Sequence, residues 1–139
     1  MFYRHLSLTG LLLLSSLATA LPNDREQPIA LAADNATFNE KTGIATYTGN
    51  VEIKQGSLLI KAEQISATTD KEGKILTVVA TGKPAHMQQQ PSLEKGIATA
   101  QAEEITYQAR DGLIVLKRNA KLEQDGSSFK SLEIMYSMD

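Results

Sequence analysis

Two parts of this sequence can be laid on one another. Phe38 and Tyr107, Gly43 and Gly112, Tyr47 and Leu116, Asn50 and Asn119, Val51 and Ala120, Ile53 and Leu122, and Ile65 and Ile134 all stand 69 positions apart. Gly56 and Gly126 stand 70 apart, a slip of one residue at a turn. Within the first copy Tyr47, Val51 and Ile53 fall on one side of an extended chain, and Thr48, Asn50, Glu52 and Lys54 on the other. A period of two marks a strand with one dry and one wet face. Gln55-Gly56-Ser57 interrupts it, after which Leu58, Ile60 and Ala62 resume the alternation. A β-meander that occurs twice favours a stacked structure over a closed barrel.

The remaining segments fit the same scheme. Ile29 and Leu31 alternate, as do Ala36 and Phe38, before a turn at 40–43 where Gly43 supplies a positive φ. The second strand of the opening hairpin runs through Ile65 and Ala67, and 70–73 turn again. Ile75, Thr77, Val79 and Thr81 alternate with Leu76, Val78 and Ala80, which predicts a strand buried on both faces. Gly82-Lys83-Pro84 interrupts that ladder, because proline has no N–H to donate, and 85–90 read as a separate short strand. After a polar connection at 91–96 come a long strand at 97–109, the hairpin signal Asp111-Gly112, and a returning strand at 113–124. Asp125-Gly126 turns into a last strand at 128–136. Extended segments, short connections and essentially no helical period predict an all-β fold: an antiparallel sheet folded on itself, a sandwich or jelly-roll-like structure. Nothing after the second copy matches 74–90, so its final strand is expected to leave unpaired backbone groups along an edge open to a partner.

Residues 1–20 read as a cleaved signal peptide, with Arg4 and His5 at its start, an apolar run at 6–17, and the small-x-small site Ala18-Thr19-Ala20. That run is short for a membrane span of roughly 20 residues, and an uncleaved anchor is the alternative reading. Residues 21–27 read as a loose polar lead-in and 28–139 as a single domain. Losing Arg4 with the leader leaves 13 Lys and Arg against 16 acidic residues, a poor match to nucleic acid, where binding rests on phosphate neutralisation. There is no Cys, so the exported domain must be held by its core and sheet hydrogen bonds, and thiol chemistry is excluded. His86 is the only His beyond the leader, which excludes a His-rich metal site and a triad with a spare base. Gly56-Ser57 and Gly126-Ser127 lack the flanking glycine of a nucleophile elbow. Glu103 and Glu104, adjacent on a strand, are expected to point to opposite faces. No catalytic residue, metal or cofactor is expected.

Pro28-Ile29-Ala30-Leu31-Ala32-Ala33-Asp34, Tyr47-Thr48-Gly49-Asn50-Val51, Gln55-Gly56-Ser57 and Gly82-Lys83-Pro84-Ala85, with Tyr107 and Asn119-Ala120 in the second copy, resemble the LptA/OstA-type lipopolysaccharide transport proteins. The resemblance spans roughly residues 27–139 and rests on the order and spacing of these motifs together. It implies a periplasmic β-jelly roll, slightly twisted and open at both ends, stacking end to end as a bridge between the inner and outer membranes. Its apolar interior would shield the acyl chains of lipopolysaccharide while the sugars stay in water. Inner-membrane-anchored and outer-membrane OstA-like partners, joined by edge-strand addition, and head-to-tail self-association are implied with it. Longer members carry a final strand and a polar tail that this sequence lacks, which leaves its C-terminal contact open.

Alternation assigns to the interior Ile29, Leu31, Phe38, Tyr47, Val51, Ile53, Leu58, Ile60, Ile65, Met87, Ile105, Tyr107, Leu116, Leu122, Phe129 and Ile134. By the resemblance, Ile29, Leu31, Met87, Tyr107 and Ala109 match positions near the lipid. An interior of Ile, Leu, Val and Ala without Trp fits an under-filled groove and equally a small aliphatic core. A lipid carrier, a non-carrier stacking module and a membrane-anchored relative retaining 1–20 therefore stand side by side at this point.

Overall fold

The alternating segments become eight strands, preceded by a short 3-10 turn at Asp24–Glu26. The structure, a computed structural model, describes residues 24–138; the leader and the start of the lead-in lie outside them. The strands are β1 (Ala30–Ala32), β2 (Asn35–Asn39), β3 (Ile44–Gln55), β4 (Leu58–Thr69), β5 (Ile75–Gln89), β6 (Ala98–Gln108), β7 (Leu113–Gln124) and β8 (Ser127–Ser137). They form one open antiparallel sheet in chain order, with β1 and β2 sharing the outer edge of β3. Sequential hairpins explain this order, since each glycine turn returns the chain beside the strand it has left.

The repeat is visible in individual bonds. Gly43 N donates to Asn39 O and Gly112 N to Gln108 O, both at 2.9 Å. Asn50 Nδ2 donates to Asp34 at 3.0 Å, as Asn119 Nδ2 does to Glu103 at 2.6 Å. Gln55 Nε2 donates to Gln27 O at 3.0 Å, as Gln124 Nε2 does to Gly96 O at 3.1 Å. Each copy carries a β-bulge in the left-handed region: Gly49 and Asn50 at φ 82 and 48, Arg118 and Asn119 at φ 68 and 53. Register shifts at Thr48/Val51 and Lys117/Ala120 follow, and a bulge of this kind bends and twists its strand. β1 and β2 together correspond to the single long β6, with the break after β1 falling where β6 has its own register shift.

Two hydrogen bonds, one buried and one half-buried, reveal how the sheet closes on itself. Tyr107 OH on β6 donates to Gln55 Oε1 on β3 at 2.7 Å, and Tyr136 OH on β8 to Gln89 Oε1 on β5 at 2.8 Å. Each pair is three strands apart, which in a flat sheet is about 14 Å. Direct contact therefore requires the sheet to fold over, bringing its inner faces together as in a jelly roll. Across the strands, Tyr47, Ile65, Ala80, Ile105, Leu116 and Ile134 align in one inner row. Glu52, Lys61, His86, Gln101, Lys121 and Lys130 align in an outer one.

Three expectations are corrected. β5 is continuous through Pro84, because the residues between Thr81 and Ala85 form a bulge in which no ladder N–H is required of the proline. β5 is also buried on one face only: Val78 and Ala80 are buried while Val79 and Thr81 are half-buried, since no second layer among the described residues covers the outer face. Glu103 and Glu104 are not on opposite faces. The register shift between Gln101 and Glu104 breaks strict alternation, and Arg118 reaches both carboxylates at 3.6 Å.

Candidate functional site: the folded interior and its mouth

The middle of the interior is filled. Val51, Ile53, Leu58, Ile60, Ile65, Met87, Ile105, Tyr107 and Leu116 are all buried, packed with Val78, Ala80 and Ala102. Ile29, Leu31, Tyr47, Ala109, Leu122 and Ile134 are half-buried along its margins. Phe38 and Phe129 share register rows with the inner residues yet are 59% and 57% exposed. Their expected enclosure fails because β2 and β8 are outermost strands, with no further strand among the described residues folded over them.

Open space lies at one mouth. A cleft of about 1190 Å³ is walled by Pro28, Ile29, Ile75, Leu76 and Ala109, with Gln55 at its back. Arg25, Lys74 and Arg110 stand around it, together with the carboxylates of Glu26 and Asp70. Of the positions matched by resemblance, Ile29 and Ala109 are brought together here, and Tyr107 touches the cleft through its bond to Gln55. Leu31 and Met87 lie deeper in the fold, aligned with Ile53 and Ile60 across β1, β3, β4 and β5.

Two polar residues sit among these apolar ones: Gln55 is 4% exposed and Gln89 2%. A buried amide without partners costs roughly 1–3 kcal/mol, so each must be satisfied. Gln55 Nε2 donates to the carbonyls of Arg25 and Gln27, at 3.2 and 3.0 Å, while its Oε1 accepts from Tyr107. Gln89 Nε2 donates to Asp24 Oδ2 at 3.0 Å, and its Oε1 accepts from Tyr136. Burial, and then the carboxylate of Asp24, push the Tyr136 pKa above its ordinary value. Sequence reasoning passed over both glutamines. The available signal was a polar residue at the next inner position after Ile53 and after Met87.

The lead-in is not loose over its described part. Asp24 accepts from Ser57 N at 2.8 Å and from Ser57 Oγ, while Arg25 Nη2 donates to Arg110 O. Glycines make room for it: a Cβ on Gly112 would lie 2.7 Å from Arg25 Cδ, and one on Gly56 would collide with Asp24. Residues 24–28 thus form a strap across the mouth, resting on the β3–β4 tip and the β6–β7 tip.

This arrangement offers apolar surface and satisfied hydrogen bonds. Among the described residues no cluster of three or more His, Cys, Asp or Glu could hold a metal ion, and His86 is exposed on the outer face. No helix among them is long and apolar enough to cross a membrane.

Residues 30–139 match the family described as LptA/(LptD N-terminal domain) LPS transport protein. The chain is 39% identical over 122 residues to the lipopolysaccharide export system protein LptH of Pseudomonas aeruginosa, covering 88% of this chain and 70% of that one. It is 35% identical over 135 residues to the lipopolysaccharide export system protein LptA of Haemophilus influenzae, covering 96% and 78%. To LptA of Escherichia coli K12 it is 31% identical over 138 residues, covering 94% and 74%. The crystal structure of P. aeruginosa LptH, described as the LptA-homologous periplasmic component of the lipopolysaccharide transport device, aligns with a TM-score of 0.78 at 35% identity. The alignment covers 84% of this chain and 80% of that one.

Proposed function

This chain belongs to the LptA/LptD N-terminal-domain family of lipopolysaccharide transport proteins, and from that premise we propose that it is a periplasmic carrier that shields lipopolysaccharide acyl chains on its inner face. The sugars stay in water, and the carrier forms part of a bridge from inner to outer membrane. Its role is binding and transfer rather than catalysis. On this reading 1–20 are removed on export, and neighbouring OstA-like partners and further copies join at the edges of the sheet.

The observation that carries the proposal is an apolar inner face that continues into the cleft beside Ile29, Leu76 and Ala109. Each buried methylene contributes about 0.8 kcal/mol, so half a dozen give roughly 5 kcal/mol, enough to hold a chain and still release it. Photo-crosslinking groups at Ile29, Leu76 and Ala109 are expected to capture lipopolysaccharide, and groups on the outer face at Glu52 and Lys61 to miss it. Capture from the outer face alone would refute the carrier.

The filled centre at Ile53, Ile60 and Ile105 favours a second reading, a stacking module that carries nothing. Titration with an apolar dye separates the two, since such a module takes up neither dye nor lipid.

A further inference from the structure

We propose that the strap at residues 24–28 is a latch over the cleft, held shut by Asp24, and that an acyl chain with an anionic head group enters when this latch opens. The inference rests on the carrier reading.

The strap is held by side-chain contacts and not by a β-ladder. No residue of its turn is buried. Asp24 holds Ser57 and Gln89, the carbonyls of Arg25 and Gln27 accept from Gln55, and Arg25 reaches Arg110. These bonds lie at a turn with no buried residue, whereas the strands are held by continuous ladders and the core. Segments tied this way open locally before the rest of a fold does. The strap also lies where opening matters, because Pro28 and Ile29 are themselves part of the cleft wall.

The internal repeat supports the same conclusion. The carbonyl of Gln27 and the carbonyl of Gly96, 69 positions later, accept equivalent bonds from Gln55 and Gln124. In the second copy this seat is filled by the loop between β5 and β6, fixed by strands at both of its ends. In the first copy it is filled by a segment leading only into β1, with no strand before it among the described residues. Of the two equivalent seats, the first alone can be vacated without breaking the sheet. The chemistry of the cleft specifies the ligand: Ile75, Leu76 and Ala109 offer an apolar wall, and beyond the strap Lys74 and Arg110 outnumber Asp70 by one charge at the rim, which favours an acidic head.

The chain has no Cys, so Asp24→Cys with Ser57→Cys can tie the strap to the β3–β4 tip through a single disulfide. Uptake of dansyl-labelled undecanoic acid, followed by fluorescence, is expected to be slower in the oxidised than in the reduced protein by roughly tenfold or more. Asp24→Asn, which loses one charged acceptor, is expected to take up the probe about fivefold faster than the parent chain. With matching circular dichroism, equal rates in the oxidised and reduced forms overturn the latch while leaving the carrier reading intact. Should the disulfide fail to form, an unchanged rate in Asp24→Asn overturns it. Failure of the parent chain to take up any probe removes the carrier reading and the latch together.

Discussion

Gly49 and Arg118 occupy equivalent places in the two copies, with φ 82 and 68. For a residue with a Cβ that region costs roughly 1–2 kcal/mol, and a Cβ on Gly49 would lie 2.6 Å from Asp34 Oδ2. Gly49→Ala is therefore expected to lower stability in urea unfolding by about 1–3 kcal/mol. Arg118→Gly is expected to change it by less than about 1 kcal/mol, since relief at φ is offset by glycine's greater unfolded-state freedom. The ion pairs lost to Glu103 and Glu104 are 56% exposed at the arginine and add little. Tyr136 carries a pH signature. Its raised pKa means that the fold favours the neutral phenol, so its contribution is complete below the ordinary tyrosine value of 10.0 and is lost as pH rises through the raised one. Melting temperatures are expected to fall at strongly alkaline pH in a step that Tyr136→Phe lacks; equal slopes would count against it. At this scale most of the apolar inner residues were legible from alternation, and Phe38 and Phe129 on the outermost strands were misassigned by it. The partners of Gln55 and Gln89 were not, because Tyr107, Tyr136 and Asp24 come from elements that no local pattern joins.

Strands were legible because alternation and glycine turns are local signals. What remained hidden depends on distant contacts: the continuity of β5 across Pro84, and a strap held by side chains far along the chain. Arg118 concealed its bulge, since arginine gives no hint of a left-handed backbone, although Asn119 beside it does. β8 is the element with most left exposed. Phe129, Leu132 and Met135 are 57%, 82% and 64% exposed, on a strand paired only with β7 among the described residues. A long edge with apolar side chains invites pairing with another chain. Leu132→Lys with Met135→Lys is expected to reduce concentration-dependent association in sedimentation, with stability of the monomer held within roughly 0.5 kcal/mol. Unchanged assembly would mean that this edge is not used.

For the whole molecule, alternation and repetition reached an antiparallel sheet folded on itself, but the amount of space inside depended on which faces meet. That is decided by side chains three strands apart. Ile105→Ala, at the filled centre, is expected to cost about 2–5 kcal/mol, and a bound acyl ligand to raise its melting temperature as it does the parent's. A variant that melts lower and gains nothing from ligand would place binding away from the mouth. The bonds from Tyr107 to Gln55 and from Tyr136 to Gln89 act as two stitches along the seam of a pleated sleeve. The backbone ladders join each strand only to its neighbours, so the spacing between the two faces is held across the seam and not along the weave. A sheet folded in this way sets the distance between its two faces by a pair of tyrosine hydroxyls and the packing around them rather than by the number of its strands.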